Sequence, residues 1–369
     1  MDEQSLQYKL GLALVSGVGS SLARNLISHV GSVDDIFREK KSNLQKIPGI
    51  GPNLSERISK GSILQRAEQE IQFITRNKIS FTFFLDDDFP HRLKQCQDAP
   101  VILFYKGKLN KNPLRALSVI GTRNPSKRGR TLTREWIREI SDRDSSIVII
   151  SGLAYGIDIQ AHEAALDFGL DTYAGLGHGF HTIYPAIHRS TARRITKQGA
   201  LLTDFFSYSK LEPKNFIRRN RLIAGLSDCT LVMESKNKGG AIVTADMANS
   251  YNREVFAVPG RPGDMMSTGC NNLIKSNRAA LIQSVDDLFF FMGWDELTCP
   301  PQNPIIISKQ DLSNEEKLIL EQLVQNPKTL DQISAQTGLR ISTVSATLLG
   351  LEFKGFISAK PGNSYTLSH

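Results

Sequence analysis

Apolar residues in the middle of this chain come in short unbroken runs and do not alternate with polar ones. The runs are "ALSVIGT" (116–122), "SIVIISG" (146–152), "DTYAGLG" (171–177), "ALLTDF" (200–205), "CTLVMES" (229–235), "EVFAVPG" (254–260) and "AALIQS" (279–284). A strand buried on both faces needs apolar side chains at successive positions. With helix-length stretches between most neighbours, the pattern predicts an α/β fold built on a doubly wound, mostly parallel sheet.

The two ends follow other rules. "VSGVGSSLARNLI" and "IPGIGPNLSERI" each set Gly-x-Gly ahead of an amphipathic helix, with first glycines at Gly17 and Gly49. This is the form of a helix-hairpin-helix (SAM-like) element, whose backbone N–H groups can meet a phosphate, or of a plain helical bundle that uses glycine as hinge and cap. After Trp294, "DELTCPPQNPIIISKQ" has three prolines and no helical period and reads as a linker. Beyond it come a helix with an acidic first turn, a helix-turn-helix with Gly338 at the turn, and two short strands around Pro-Gly-Asn, which together predict a winged-helix module. The expected domains are therefore 1–65 helical, 66–295 α/β, 296–311 linker and 312–369 winged helix, as suits a chain of 369 residues.

Composition narrows the class. No apolar run reaches membrane-spanning length, and "MDEQSLQYKL" lacks the features of a signal peptide, so a cytoplasmic protein with no membrane partner is expected. Cys96, Cys229, Cys270 and Cys299 lie far apart without a CxxC pair, which argues against disulfides and thiolate zinc. The net charge of +8 is uneven. Lys106 to Arg130 holds eight Lys/Arg and no acid, Arg189 to Arg221 carries a net +7, and Lys309 to His369 sums to zero. An anionic partner should therefore meet the middle of the chain.

Ligands of open α/β sheets bind where strand ends enter helices. "SGLAYG" (151–156) stands at such a place, but its glycines do not follow the dinucleotide fingerprint, and no Walker sequence is present. Neighbouring strand ends repeat its chemistry. "IGTRNPSKRG" presents Gly121 and Arg123 ahead of a helix start, "LGHGFHTIYP" offers glycines and Phe180, "FIRRNRLIAG" places Arg218, Arg219, Asn220 and Arg221 at a helix opening, and "KGGAIVTA" supplies Lys238, Gly239, Gly240 and Thr244. Backbone amides, arginines and an aromatic converging there suit a phosphate chain with unstacked bases. Asp158 and His162, four apart on one helix, read as a structural hydrogen bond, not an acid–base pair. His178 and His181 form an HxxH without a third ligand, so no metal is expected.

In order, "VIGTRNPSKRG", "ISGLAYGIDIQAHEAAL", "LGHGFHTIYP", "RNRLIAGLSDCTLVMES", "GGAIVTADMA", "REVFAVPG" and "GCNNLI" closely resemble the blocks of the DNA-processing protein A family (DprA, also called Smf) over about 80 to 295. The resemblance implies an extended Rossmann fold used without a nucleotide cofactor. It also implies a non-enzymatic binder of single-stranded DNA that protects incoming strands in natural transformation and helps load the RecA recombinase, as a homodimer. By position, the family's GTR arginine becomes Arg123, its SGxAxGID loop becomes Ser151, Gly152, Ala154, Gly156 and Asp158, and the basic residue ahead of RNR becomes Arg218. Phe180 as a stacking residue is inferred from its loop alone. Tyr155 departs from the small or basic residue expected there and either adds a stacking face or covers the pocket; "YPAIH" lacks the Lys or Glu often found after YP. The rival is a Rossmann-like nucleoside-monophosphate phosphoribohydrolase, but "NKGGAIVTADMA" lacks a glutamate three residues after its threonine.

Overall fold

The computed structural model describes residues 3–295, 312–323, 328–354, 356–360 and 364–367. It divides after Leu288 into two compact units. The expected linker, Cys299 and the Pro361–Asn363 turn lie outside the described residues.

The first unit opens with six helices, α1 (Glu3–Leu14), α2 (Ser20–Val30), α3 (Val33–Arg38), α4 (Lys41–Leu44), α5 (Pro52–Ile58) and α6 (Ser62–Asn77). Each Gly-x-Gly does what the sequence suggested. Gly17 and Gly49 take φ of +99° and +87°, and Gly19 and Gly51 are the extended N-caps of α2 and α5. These helices do not fold around a core of their own. Leu12, Leu26 and Ile36 belong to one apolar cluster with Phe83, Ile150 and Val232 of the sheet, and the expected boundary at 65/66 falls inside α6.

The sheet has nine strands: β1 (Ser80–Phe83), β2 (Ile102–Gly107), β3 (Ala116–Gly121), β4 (Val148–Ser151), β5 (Thr172–Gly175), β6 (Ala200–Thr203), β7 (Cys229–Glu234), β8 (Glu254–Ala257) and β9 (Ala280–Leu281). Its order is β1-β2-β6-β5-β4-β3-β7-β8-β9. All seven apolar runs are strands, and β6 through β9 in that order are parallel. The pair β1–β2, absent from the runs above, extends the sheet antiparallel along the edge of β6. Helices α7 (His91–Lys94), α8 (Lys127–Arg143), α9 (Ile157–Asp167), α10 (Arg189–Gln198), α11 (Pro213–Leu226), α12 (Gly240–Ser250), α13 (Thr268–Lys275) and α14 (Val285–Met292) make up the rest of this region.

From β3 the chain winds outward through β4, β5 and β6, then returns to the other side of β3 as β7. The strand order therefore reverses between β3 and β7, and their carboxyl ends open the crevice where such sheets take ligands.

The second unit contains α15 (Asn314–Leu323), α16 (Leu330–Thr337) and α17 (Ile341–Phe353), with strands β10 (Lys328–Thr329), β11 (Ile357–Lys360) and β12 (Ser364–Leu367). Thr329 and Gln332 form a reciprocal capping box on α16, and Gly338 ends it in the left-handed region at φ +69°. Ile319, Leu323, Ile333, Val344, Leu348 and Ile357 make its core. The winged-helix expectation holds, with β10 added to the wing.

Candidate functional site

A cleft of about 440 Å³ opens at the β3/β7 switch point. One wall is the end of β3 with Thr122 and Arg123, and another is Ser235, Lys236 and Lys238 after β7. Ala154 and Asp158 border it from the loop after β4, while Phe216, Ile217, Arg219 and Asn220 of α11 close the far side. The N-terminus of α12 enters through Gly239 and Gly240, with no side chain capping it. Arg123, Lys236 and Lys238 are exposed, and their charged side-chain ends make no hydrogen bond or ion pair with any described residue. Three cations without a partner among the described residues, beside a helix N-terminus with no side-chain cap, have the chemistry that suits an extended anion.

The two helix starts at this crevice are not equivalent. The sequence suggested that the N–H groups opening α8 would meet an anion. Glu234, at the end of β7, already occupies that place. Its Oε2 accepts from the Ser126 amide at 2.8 Å and its Oε1 from the Ser126 hydroxyl at 2.7 Å, while Ser126 Oγ caps the Gly129 amide at 3.0 Å. The protein supplies its own carboxylate at α8 and leaves α12 open.

The loop Ser151–Gly156 is scaffold more than contact surface. Ser151 is buried and its Oγ donates to the Val119 carbonyl at 2.7 Å. Gly156 has φ of +85°, and a Cβ there would lie 2.1 Å from the Thr122 oxygen and 2.6 Å from the Arg123 carbonyl carbon, so only glycine lets the two loops touch. Asp158 and His162 are not bonded to each other. The Thr172 hydroxyl donates to the Ile149 carbonyl and so accepts from His162 Nδ1–H at 2.7 Å, which leaves His162 Nε2 to accept the Leu153 amide at 3.3 Å. Burial holds the imidazole neutral, with its pKa lowered to about 3. Burial likewise raises the Asp158 pKa, opposed by the Arg219 charge and by the Ala154 and Gly152 amides.

The four α11 residues expected at the site separate by helical phase. They lie in mid-helix, not at its opening, because α11 starts at Pro213. Arg219 is 3% exposed and donates Nη1 to the Gly152 and Gly175 carbonyls, so it braces the cleft from beneath. Burial lowers its pKa to about 10. Asn220 lies in the cleft wall and accepts from Arg219 Nε at 3.2 Å. Arg218 and Arg221 turn away toward Asp204, Arg218 at 3.1 Å, in a separate hollow beside Val18 and Gly19. Thr244 is in the cleft lining but buried, its hydroxyl spent on the Gly240 carbonyl at 3.1 Å.

Phe180 is not in the cleft wall. It is half-buried and packs against apolar clusters that include Leu176, Ile195 and Phe104. The aromatic in the cleft lining is Phe216, and half-exposed Tyr184 from the loop after β5 packs beside it, with ring centroids 5.5 Å apart. Sequence reasoning missed Phe216 and Lys236. Helical spacing held the signal for Phe216, which lies four residues before Asn220 and seven before Ile223 on one face of α11. In the HxxH, both ring nitrogens of His178 are taken within its own loop, Nδ1 facing the Gly179 carbonyl at 2.9 Å and Nε2 accepting the Tyr184 amide at 3.2 Å, while the ring of His181 lies over Tyr208.

Residues 80–293 match the family described as DNA recombination-mediator protein A. The chain belongs to this family, the DprA/Smf proteins. The family's winged-helix domain matches 307–363, and a SAM-like helix-hairpin-helix tandem matches 10–61. Protein Smf of Synechocystis is 34% identical over 97% of this chain and 98% of its own length. DNA processing protein DprA of Streptococcus pneumoniae is 32% identical over 69% of this chain and 96% of its own. Its X-ray structure superposes with a TM-score of 0.65 at 29% identity, covering 78% of this chain and 97% of that one. DNA processing protein A of Helicobacter pylori, described for its single-stranded DNA binding mode, gives a TM-score of 0.53 at 26% identity over 59% of this chain and 97% of that one. The extended Rossmann-like assignment of the DprA/Smf core therefore stands, as do the two end modules. Among the described residues no helix is long and apolar enough to cross a membrane.

Proposed function

We propose that this DprA/Smf protein binds single-stranded DNA in the β3/β7 cleft, with phosphates at Arg123, Lys236, Lys238 and the α12 N-terminus and bases against Phe216 and Tyr184. The observation that carries the reading is the set of three cations without partners among the described residues, around one uncapped helix start. Free cations and aromatic faces suit a flexible strand whose bases can unstack, and such contacts tolerate any base. The binding mode described for the Helicobacter pylori relative supports the same ligand class. In the cell we assign the chain the protection of incoming strands and their delivery to the RecA recombinase during natural transformation, as a homodimer, without a cofactor and without catalysis.

The test is a titration of labelled oligo-dT and of the matching duplex across a salt series. Tighter binding of the single strand, falling steeply with salt, is expected. Equal affinity for both forms overturns the reading, and release of free base from nucleoside monophosphates assigns the cleft to a phosphoribohydrolase instead.

A further inference from the structure

The two basic runs of the sequence are only partly used by the cleft, which takes Arg123 from the first and Arg219 from the second. Much of the remainder meets on another face. Arg189, Arg193 and Lys197 follow one another at four-residue spacing along α10, all exposed, so they form a single stripe with about 6 Å between steps. The end of β2 passes directly over the last turn of this helix. A Cβ on Gly107 would lie 2.3 Å from the Gly199 oxygen and 3.0 Å from Thr196 Cα, and the Lys108 amide donates to the Gly199 carbonyl at 2.7 Å. Lys108 thereby joins Lys197 and Arg194 around a shallow hollow.

The charged ends of Arg189, Arg193, Lys197 and Lys108 make no ion pair or hydrogen bond with the described residues; of the acids on this flank Asp167 and Glu163 are engaged, while Asp171 lies in the same hollow as Lys108 and Lys197, where burial raises its pKa against the opposing Lys108 charge. Asp167 holds Arg134 at 2.8 Å and Arg194 at 2.7 Å, and Glu163 accepts the Thr191 hydroxyl at 3.3 Å. The stripe also connects with the cleft. The loop after β4, which borders the cleft through Ala154, is fixed to the residue preceding α10, because His188 Nδ1 bonds the Leu153 carbonyl at 2.8 Å. At this junction Tyr155 is 47% exposed, its ring centroid 5.1 Å from that of His188.

We infer that the α10 ridge, with Lys108 at its foot, is a second phosphate track that carries a single strand onward from the cleft, with Tyr155 as the stacking face where the strand crosses. The inference rests on the reading of the cleft as a single-strand site. A short oligonucleotide then fills the cleft alone, and a longer one gains the ridge. The ridge needs positive charge and no particular base, since it offers only flexible cations.

The experiment compares oligo-dT of roughly 6 and roughly 20 nucleotides by fluorescence anisotropy at two salt concentrations, on the full chain. R189Q/R193Q/K197Q is expected to weaken the longer oligonucleotide roughly tenfold or more and to lower its salt slope by about 2, while leaving the shorter one unchanged. R189K/R193K, which keeps the charge, should bind both lengths normally, and Tyr155→Ala should follow the triple variant in affinity without its change in salt slope. Equal loss on both lengths, loss in the charge-preserving variant, or no loss on the longer oligonucleotide overturns the ridge. Arg123→Ala separates the two readings. If it leaves the short oligonucleotide unaffected, the cleft assignment fails, while the triple variant on the longer one still decides the ridge.

Discussion

Arg219 lies beneath Gly152 with its Nη1 against the glycine carbonyl, and a Cβ on that glycine would come within 2.5 Å of the same nitrogen and 2.6 Å of Asp158 Oδ2. One buried cation therefore joins the carboxyl ends of β4 and β5 and faces the carboxylate that opens α9. Arg219→Met should destabilise the fold by about 3–5 kcal/mol, because it leaves Asp158 without its opposite charge and two carbonyls without their donor. Adding Asp158→Asn should recover part of that loss, measured by urea unfolding of the single and double variants. A single variant as stable as the native chain would mean that the guanidinium is dispensable to the scaffold.

Arg123→Ala should act in the opposite way. The side chain is exposed and unpaired among the described residues, so stability should hold while single-strand affinity falls on every sequence and the salt slope drops by about 1. Anisotropy titrations on two unrelated oligonucleotides check this, and loss confined to one of them would indicate base readout.

Gly156→Ala tests the contact between the two loops. Its φ of +85° with ψ of −125° is a conformation that glycine adopts freely and other residues do not, and the new methyl would strike the Thr122 oxygen. The loop carrying Arg123 must then move, so both thermal stability and single-strand binding should fall, in contrast to Arg123→Ala.

His162 makes stability depend on pH. Its folded pKa is lowered to about 3 by burial, below the ordinary value of 6.5, so the unfolded chain takes up the proton first as pH falls. The contribution is full above about pH 6.5 and declines by about 1.4 kcal/mol per unit as pH drops from there toward 3. Burial lowers the His178 pKa too and adds in the same direction. Urea midpoints between pH 7.5 and 5 should fall accordingly, and His162→Gln should flatten the profile.

The winged-helix unit should contribute little to single-strand affinity. Lys309 to His369 is electrically neutral, and in the first turns of α17 the polar positions are Ser342, Thr343, Ser345 and Thr347, preceded by Arg340. Phosphate attraction supplies most non-specific affinity, so deletion of 305–369 should leave the oligo-dT dissociation constant within about threefold. Collapse of binding in the truncated chain would instead place a DNA contact on this unit.

Apolar periodicity was sufficient to predict all seven parallel strands, the paired Gly-x-Gly helices and the winged helix, because burial on one or two faces imprints directly on the order of residues. The strands β1 and β2 escaped, since "SFTF" and "ILFYKG" border a helical segment and form an edge pair whose partner, β6, lies about a hundred residues away. Block resemblance pointed to loops that the fold brings to one crevice, but it treated their charged residues as equal. Whether an arginine meets solvent, a carboxylate or two carbonyls depends on helical phase and on what packs beneath it, and neither is local in sequence. Tertiary structure therefore decided that Arg123 meets solvent, that Arg219 is a strut, that Arg218 and Arg221 answer to Asp204, and that Glu234 fills the helix start next to the one left open.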